Sequence, residues 1–171
     1  MHGEAAARKG SRLDSFIRRL EAQRACLDWA AAAIADVPGA VIELGLGNGR
    51  TYDHLRTRLA GREIFAFDRH VAAHPACIPD AAHLVVGDFR ETLAPFAERH
   101  AGRISLVHAD TGSGDEAATA ALARWLGPAI GPLLAPGAII LSDQKLEIPG
   151  APKLPLPAGV PDGRYFVYRA V

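Results

Sequence analysis

The stretch VIELGLGNGRTYDHL, residues 41–55, decides how the rest of the chain is read. A continuous apolar run over residues 40–44 enters it, and a helical pattern over 51–59 leaves it. Between them stand Gly45, Gly47 and Gly49, with Glu43 two residues ahead of the first. Strand, glycine turn and helix in that order make the ligand-facing turn of an open α/β sheet. Glycine there admits conformations barred to other residues and lets the backbone approach a ligand closely. The helix that follows offers free N–H groups and the positive end of its dipole.

Outward from this turn, strands and helices alternate. EIFAF (63–67), HLVVG (83–87), ISLVHA (104–109) and GAIILS (137–142) are short, continuously apolar runs. Such runs are parallel strands covered on both faces. Helical patterns occupy 11–36, 51–59, 92–100 and 115–126, with a further helical piece over 129–134. Ser11 and Asp14 form a capping-box pair at the start of the first helix, whose apolar stripe includes Leu13, Phe16, Ile17, Leu20, Leu27, Ala31 and Ile34. Pro95 is tolerated if it falls in the first turn of its helix, and Gly127–Pro128 reads as a helix stop. The chain closes with RYFVYRAV (164–171), an antiparallel strand at the sheet edge. The fold expected is α/β: a doubly wound, mostly parallel Rossmann-like sheet in three layers, with an antiparallel last strand. Residues 146–163 carry five prolines and no period, and two readings stand: a connection to the last strand, or a lid over the ligand crevice.

Composition bounds the rest. The 171 residues suit one domain, 11–171, after a lead-in over 1–10 that is expected to be disordered and lacks an apolar signal core. Acidic and basic residues balance at nineteen each, so no charge block points to nucleic acid or a membrane surface. No uncharged run reaches membrane-spanning length. Cys26 and Cys77 have neither metal nor redox spacing and read as reduced thiols of a cytoplasmic protein. Abundant Arg and Ala fit a GC-rich bacterial source. The first helix packs on the sheet or pairs with a second copy.

Dinucleotide-binding turns use G-x-G-x-x-G, which requires glycine at position 50; this chain has Arg50. Its G-x-G-x-G with Glu43 ahead resembles the first motif of class I S-adenosylmethionine (SAM) dependent methyltransferases. A diphosphate would meet the Glu43 carboxylate unfavourably, whereas the ammonium and sulfonium of SAM would not. The later strand ends extend the resemblance. FDRH puts Asp68 nineteen residues after Gly49, where a carboxylate can take both ribose hydroxyls; NAD-binding folds share this feature. GDF (Gly87, Asp88, Phe89) resembles the segment that reads adenine, HAD ends the fourth strand at Asp110, and LLAPGAIILSD matches the region of the fifth. ELGLGNGRTYDHLR, HADTGSGD and GRYFVYR together are similar to a family of compact bacterial class I methyltransferases.

The resemblance implies a donor site of Glu43, Gly45, Gly47, Asn48, Gly49, Thr51, Tyr52, Asp68, Arg69, Gly87, Asp88, Phe89 and Asp110. Structural alternatives stand beside it. In these, Glu43 braces the turn without touching ligand, Asp68 caps a helix, Asp88 is a plain loop acid and Tyr52 is helix packing. For chemistry, Asp110 could orient the acceptor and His108 could act as base or be buried in the core. A metal version of the family holds Mg²⁺ at positions corresponding to Asp110, Asp143 and Gln144. Gln144 stands where that group has Asn, and Ser113 where it has a lysine base. With no inserted substrate domain and no Asn-Pro-Pro-Tyr run, the implied acceptor is a small molecule. A protein that binds SAM or S-adenosylhomocysteine without turnover, and an NAD-linked oxidoreductase, are the alternative functions.

Overall fold

The computed structural model describes residues 10–171, so of the expected lead-in only Gly10 falls within the described residues. Four helices, α1 (Arg12–Ala33), α2 (Arg50–Arg58), α3 (Phe89–His100) and α4 (Glu116–Ile130), flank one sheet. Its parallel strands are β1 (Ala40–Leu44), β2 (Ile64–Asp68), β3 (Leu84–Val86), β4 (Ile104–Ala109) and β5 (Leu134–Ser142). Two more, β6 (Lys153–Leu154) and β7 (Phe166–Arg169), finish one edge, β7 antiparallel to β5 and β6 antiparallel to β7. The order across the sheet is β3-β2-β1-β4-β5-β7-β6, with the switch at β1 and β4.

Side chains alternate across the strands, so each face builds its own core. Ile42, Leu44 and Val107 pack with Leu93 and Phe96 of α3 and Leu126 and Ile130 of α4. Val41 and Leu106 point the other way, into the core built by Cys26, Leu27 and Ala30 of α1, Ile34 at its C-cap and Leu55 of α2. By the same alternation Glu43 and His108 face the α1–α2 layer, and the parallel register sets them opposite each other. Burial in that layer pushes the Cys26 thiol up to about 11.

The capping box at Ser11 forms as expected, Asp14 Oδ2 accepting from Ser11 N at 2.7 Å and Ser11 Oγ from Asp14 N at 3.1 Å. The apolar stripe of α1 is only half used. Leu27 and Ile34 are buried, but Leu13, Phe16 and Ile17 are exposed, because the first half of the helix extends past the sheet.

Several boundaries differ from the sequence expectation. Helix α3 starts at Phe89 rather than 92, because the Asp88 side chain accepts from Arg90 N and caps it there. Pro95 therefore lies inside the helix and not in its first turn. Helix α4 runs through Gly127 and Pro128 to Ile130 instead of stopping at 126. The reason is contact with a distant segment: a Cβ on Gly127 would lie 2.1 Å from the Glu147 carbonyl oxygen. The piece expected over 129–134 is the end of α4, a 3₁₀ turn (Gly131–Leu133) and the first residue of β5. The proline-rich segment is packed chain that contains β6. Leu146, Ile148 and Ala151 enter one core, and Leu154, Leu156 and Val160 pack on the other.

The close approach at Gly127 gives a test. Helix propensity alone favours alanine over glycine by about 1 kcal/mol. The clash with the Glu147 backbone opposes this, and overpacking costs about 1–3 kcal/mol. Gly127→Ala is therefore expected to lower the thermal midpoint; a raised midpoint would contradict the packing of 147 against α4.

Candidate functional site

A cavity of about 670 Å³ opens at the carboxyl ends of the parallel strands, beside the switch between β1 and β4. The glycine turn (Gly45, Leu46, Gly47, Asn48), Arg50 and Thr51 form its floor. Asp68 and Arg69 follow from β2, Phe89 and Arg90 from the start of α3, and residues 110–113 from the end of β4. Ala118, Thr119, Ala121 and Leu122 of α4 form one wall, and Phe16, Arg19, Leu20 and Gln23 of α1 close the other.

All three glycines of the turn have positive φ, at +95° (Gly45), +52° (Gly47) and +84° (Gly49). Two are required by contact as well. A Cβ on Gly45 would come 2.4 Å from the Asp110 carbonyl oxygen, and one on Gly49 2.6 Å from Cys77 Cβ. Gly47 faces open space, and its N–H donates to Asp68 Oδ2 at 2.9 Å. The turn is thus drawn against β4 at one end and tied to β2 in its middle.

Glu43 does not line the cavity. It is fully buried beneath the turn, where the Thr51 hydroxyl donates to Oε1 and His108 Nδ1 lies 2.8 Å from Oε2. His108, also fully buried, reaches the Tyr165 hydroxyl through Nε2 at 2.8 Å. Gln23 Nε2 donates to that hydroxyl at 2.8 Å and to Asp110 Oδ2 at 3.0 Å. Arg19 donates to both Asp110 oxygens, at 3.0 and 3.3 Å. One chain of contacts therefore runs from Thr51 beneath the turn to the Arg19–Asp110 ion pair at the cavity. Burial opposes charge on His108, but the adjoining Glu43 carboxylate outweighs it and holds the imidazole pKa above its ordinary value. Burial pushes the Tyr165 phenol well above its ordinary value.

The remaining sequence candidates divide. Asn48, Thr51, Asp68, Arg69, Phe89 and Asp110 reach the cavity; Gly49, Tyr52, Gly87, Asp88 and His108 do not line it. Asp88 caps α3 through Arg90 N at 2.9 Å and takes Arg69 at 2.7 Å; the backbone bond, then Arg69, hold its carboxyl below the usual range. Tyr52 is buried in the core on the α1–α2 side of the sheet, with Arg56 over its ring. Asp143 accepts from Thr111 N at 3.0 Å, Gly112 N at 2.9 Å and Gln144 Nε2 at 3.0 Å. Burial raises its pKa. It shapes the loop after β4. Among the described residues no three His, Cys, Asp or Glu side chains form a cluster that could hold a metal ion.

Arg19, Gln23 and Tyr165 were not among the sequence candidates. Gln23 left a trace, as a polar residue three and four positions from Leu20 and Leu27 on the buried side of α1. Arg19 and Tyr165 left none, since their partners lie far away in sequence.

The model of the S-adenosyl-L-methionine methyltransferase family matches residues 10–170. The chain belongs to this family. A crystal structure of an S-adenosyl-L-methionine methyltransferase from Silicibacter pomeroyi DSS-3 is 48% identical, with a TM-score of 0.90 over 95% of this chain and 100% of that one. A Staphylococcus aureus protein proposed to be a caffeoyl-CoA O-methyltransferase is 10% identical, with a TM-score of 0.58 over 95% and 94%. The antibiotic-resistance methyltransferase Kmr is 15% identical, with a TM-score of 0.52 over 86% and 92%. These last two share the fold. Among curated proteins, none matches. The sheet expected from the sequence is thus the fold of this methyltransferase, SAM is its methyl donor, and the dinucleotide reading falls away.

The buried position of Glu43 predicts a stability effect. Glu43→Ala leaves His108 and Thr51 without their acceptor, and each hydrogen bond to a buried charged group is worth about 1.5–3 kcal/mol. Urea unfolding is expected to show a loss of that order, and an unchanged midpoint would contradict the structural role given to Glu43.

Proposed function

We propose that this methyltransferase transfers the SAM methyl group to a small molecule held in the same cavity, with the amino-acid end of the donor on the Arg19–Asp110 pair. That ion pair carries the reading. Asp110 abuts Gly45 and lines the cavity, whereas Glu43 is occupied below. Asp110 is then the carboxylate for the ammonium of the donor, and Arg19 the cation for its carboxylate. A zwitterion against an ion pair satisfies all four charges.

The rest of the cavity suits the same ligand. Gly47 leaves room for close approach, and Asp68 is within reach of a ribose. Phe89 supplies an apolar face for adenine in this reading, while Asp88 serves α3. Thr111 lines the cavity and its Oγ1 is buried without a hydrogen-bond partner, so a ligand polar group has a use there. The SAM sulfonium is already activated, and the protein has mainly to align nucleophile, methyl carbon and sulfur. His108 cannot touch the acceptor directly, so its reading is that of a partner of Tyr165.

The small-molecule acceptor is supported by cavity size. About 670 Å³ lies within the range of roughly 300–1,000 Å³ usual for small-molecule sites. Exposed Leu13, Phe16 and Ile17 on α1 support pairing of two copies there. The free thiols of Cys26 and Cys77 support a cytoplasmic setting, and among the described residues no helix is long and apolar enough to cross a membrane.

Incubating the enzyme with methyl-labelled SAM and a fractionated extract of its source cells tests the acceptor class. Label is expected in the small-molecule fraction in excess of an enzyme-free control. Transfer confined to protein or nucleic acid would overturn it.

A further inference from the structure

Alignment of donor and acceptor does not use the deepest polar feature of the molecule. Glu43, His108, Tyr165 and Gln23 are all buried, two of them with no exposure at all. Apolar side chains could fill such space at less cost in desolvation. Instead the chain keeps four polar groups joined end to end from the middle of the sheet to the cavity wall.

The hydrogen positions give the chain a direction. With His108 neutral and its proton on Nδ1, that proton goes to Glu43 Oε2. The bare Nε2 accepts the Tyr165 O–H, and the Tyr165 oxygen accepts one Gln23 N–H. The other Gln23 N–H goes to Asp110 Oδ2. Every donor then meets an acceptor, and the network assigns the amide orientation: a flipped Gln23 would set its carbonyl oxygen against the Asp110 carboxylate. A second proton on His108 would give the Tyr165 oxygen two donors and leave its own hydrogen without the acceptor it has here. Tyr165 works against that proton while Glu43 favours it. Ring packing adds rigidity, with the Tyr165 and His108 rings nearly parallel at 3° and 5.9 Å between centroids.

We propose that Tyr165 is a positioning residue for methyl transfer: backed by His108 and Glu43, it locks the Gln23 amide so that Asp110 presents one fixed orientation to the donor ammonium. This rests on the reading of Asp110 given above. It also gives the C-terminal edge a task. The proline-rich segment brings the chain back so that Tyr165, one residue before β7, stands behind α1.

The test needs no acceptor. Calorimetry compares S-adenosylhomocysteine with its 4-thiobutyrate analogue, which lacks only the α-amino group. Tyr165→Phe keeps the ring and removes the hydroxyl; Gln23→Met removes both amide donors at the cavity edge and carries the test if the tyrosine variant does not fold. Each is expected to weaken S-adenosylhomocysteine about tenfold, the size of one lost hydrogen bond to a charged group, and to change the analogue less than about twofold. Asp110→Asn is expected to show the same selectivity. A merely structural role would weaken both ligands alike. Selective loss in Asp110→Asn, with equal or no loss in the folded Tyr165 and Gln23 variants, overturns the proposal alone. No selective loss in Asp110→Asn overturns the reading of Asp110 and the proposal with it.

Discussion

A carboxylate with no access to water must be answered by the groups that touch it, and Glu43 is such a carboxylate. It sits in the second strand position from the glycine turn, on the α1–α2 side of a sheet covered on both faces. Parallel register with β4 makes His108 its neighbour across the sheet. Thr51, in the first turn of α2, supplies the second bond, which fixes how α2 leaves the turn. His108 then requires a partner of its own, and Tyr165 meets it from the C-terminal edge. The requirement to satisfy the hydrogen bonds of one buried group thus links β1, β4, α2, α1 and the chain end.

The glycine turn depends on the same arrangement. It lies directly above Glu43, drawn against Asp110 at Gly45 and tied to Asp68 at Gly47. Those contacts leave Asp68 and Asp110 as the carboxylates lining the cavity. Helix α1 contributes differently at its two ends. The end of the helix fills the core, and its first half overhangs the cavity, so Arg19, with Gln23 at the helix middle, can reach Asp110.

What the sequence made legible was what local pattern governs. Apolar runs marked the five parallel strands, because the faces of the inner ones are buried, although the edge strand β3 leaves Val86 exposed; the glycine spacing marked the ligand turn. Asp68 and Asp110 were readable as strand-end carboxylates. The role of Glu43 was not. Side-chain alternation places it on the face of Val41, but which layer lies there, and that His108 stands opposite, follow from register alone. Gln23 and Asp110 are 87 residues apart and Arg19 and Asp110 are 91, beyond any local signal. Helix α4 passes Gly127–Pro128 for the same reason: its partner at Glu147 lies in another segment. Local rules read elements and turns well, and long-range pairing decided the site.

The central claim is a division of labour between two acids, Glu43 bracing the sheet and Asp110 meeting the donor. A crystal structure of the complex with S-adenosylhomocysteine tests it most directly. The account predicts the ligand ammonium within hydrogen-bond distance of Asp110, with Glu43 still on His108 and Thr51. A Glu43 carboxylate turned onto the ligand, with Asp110 out of contact, would contradict it.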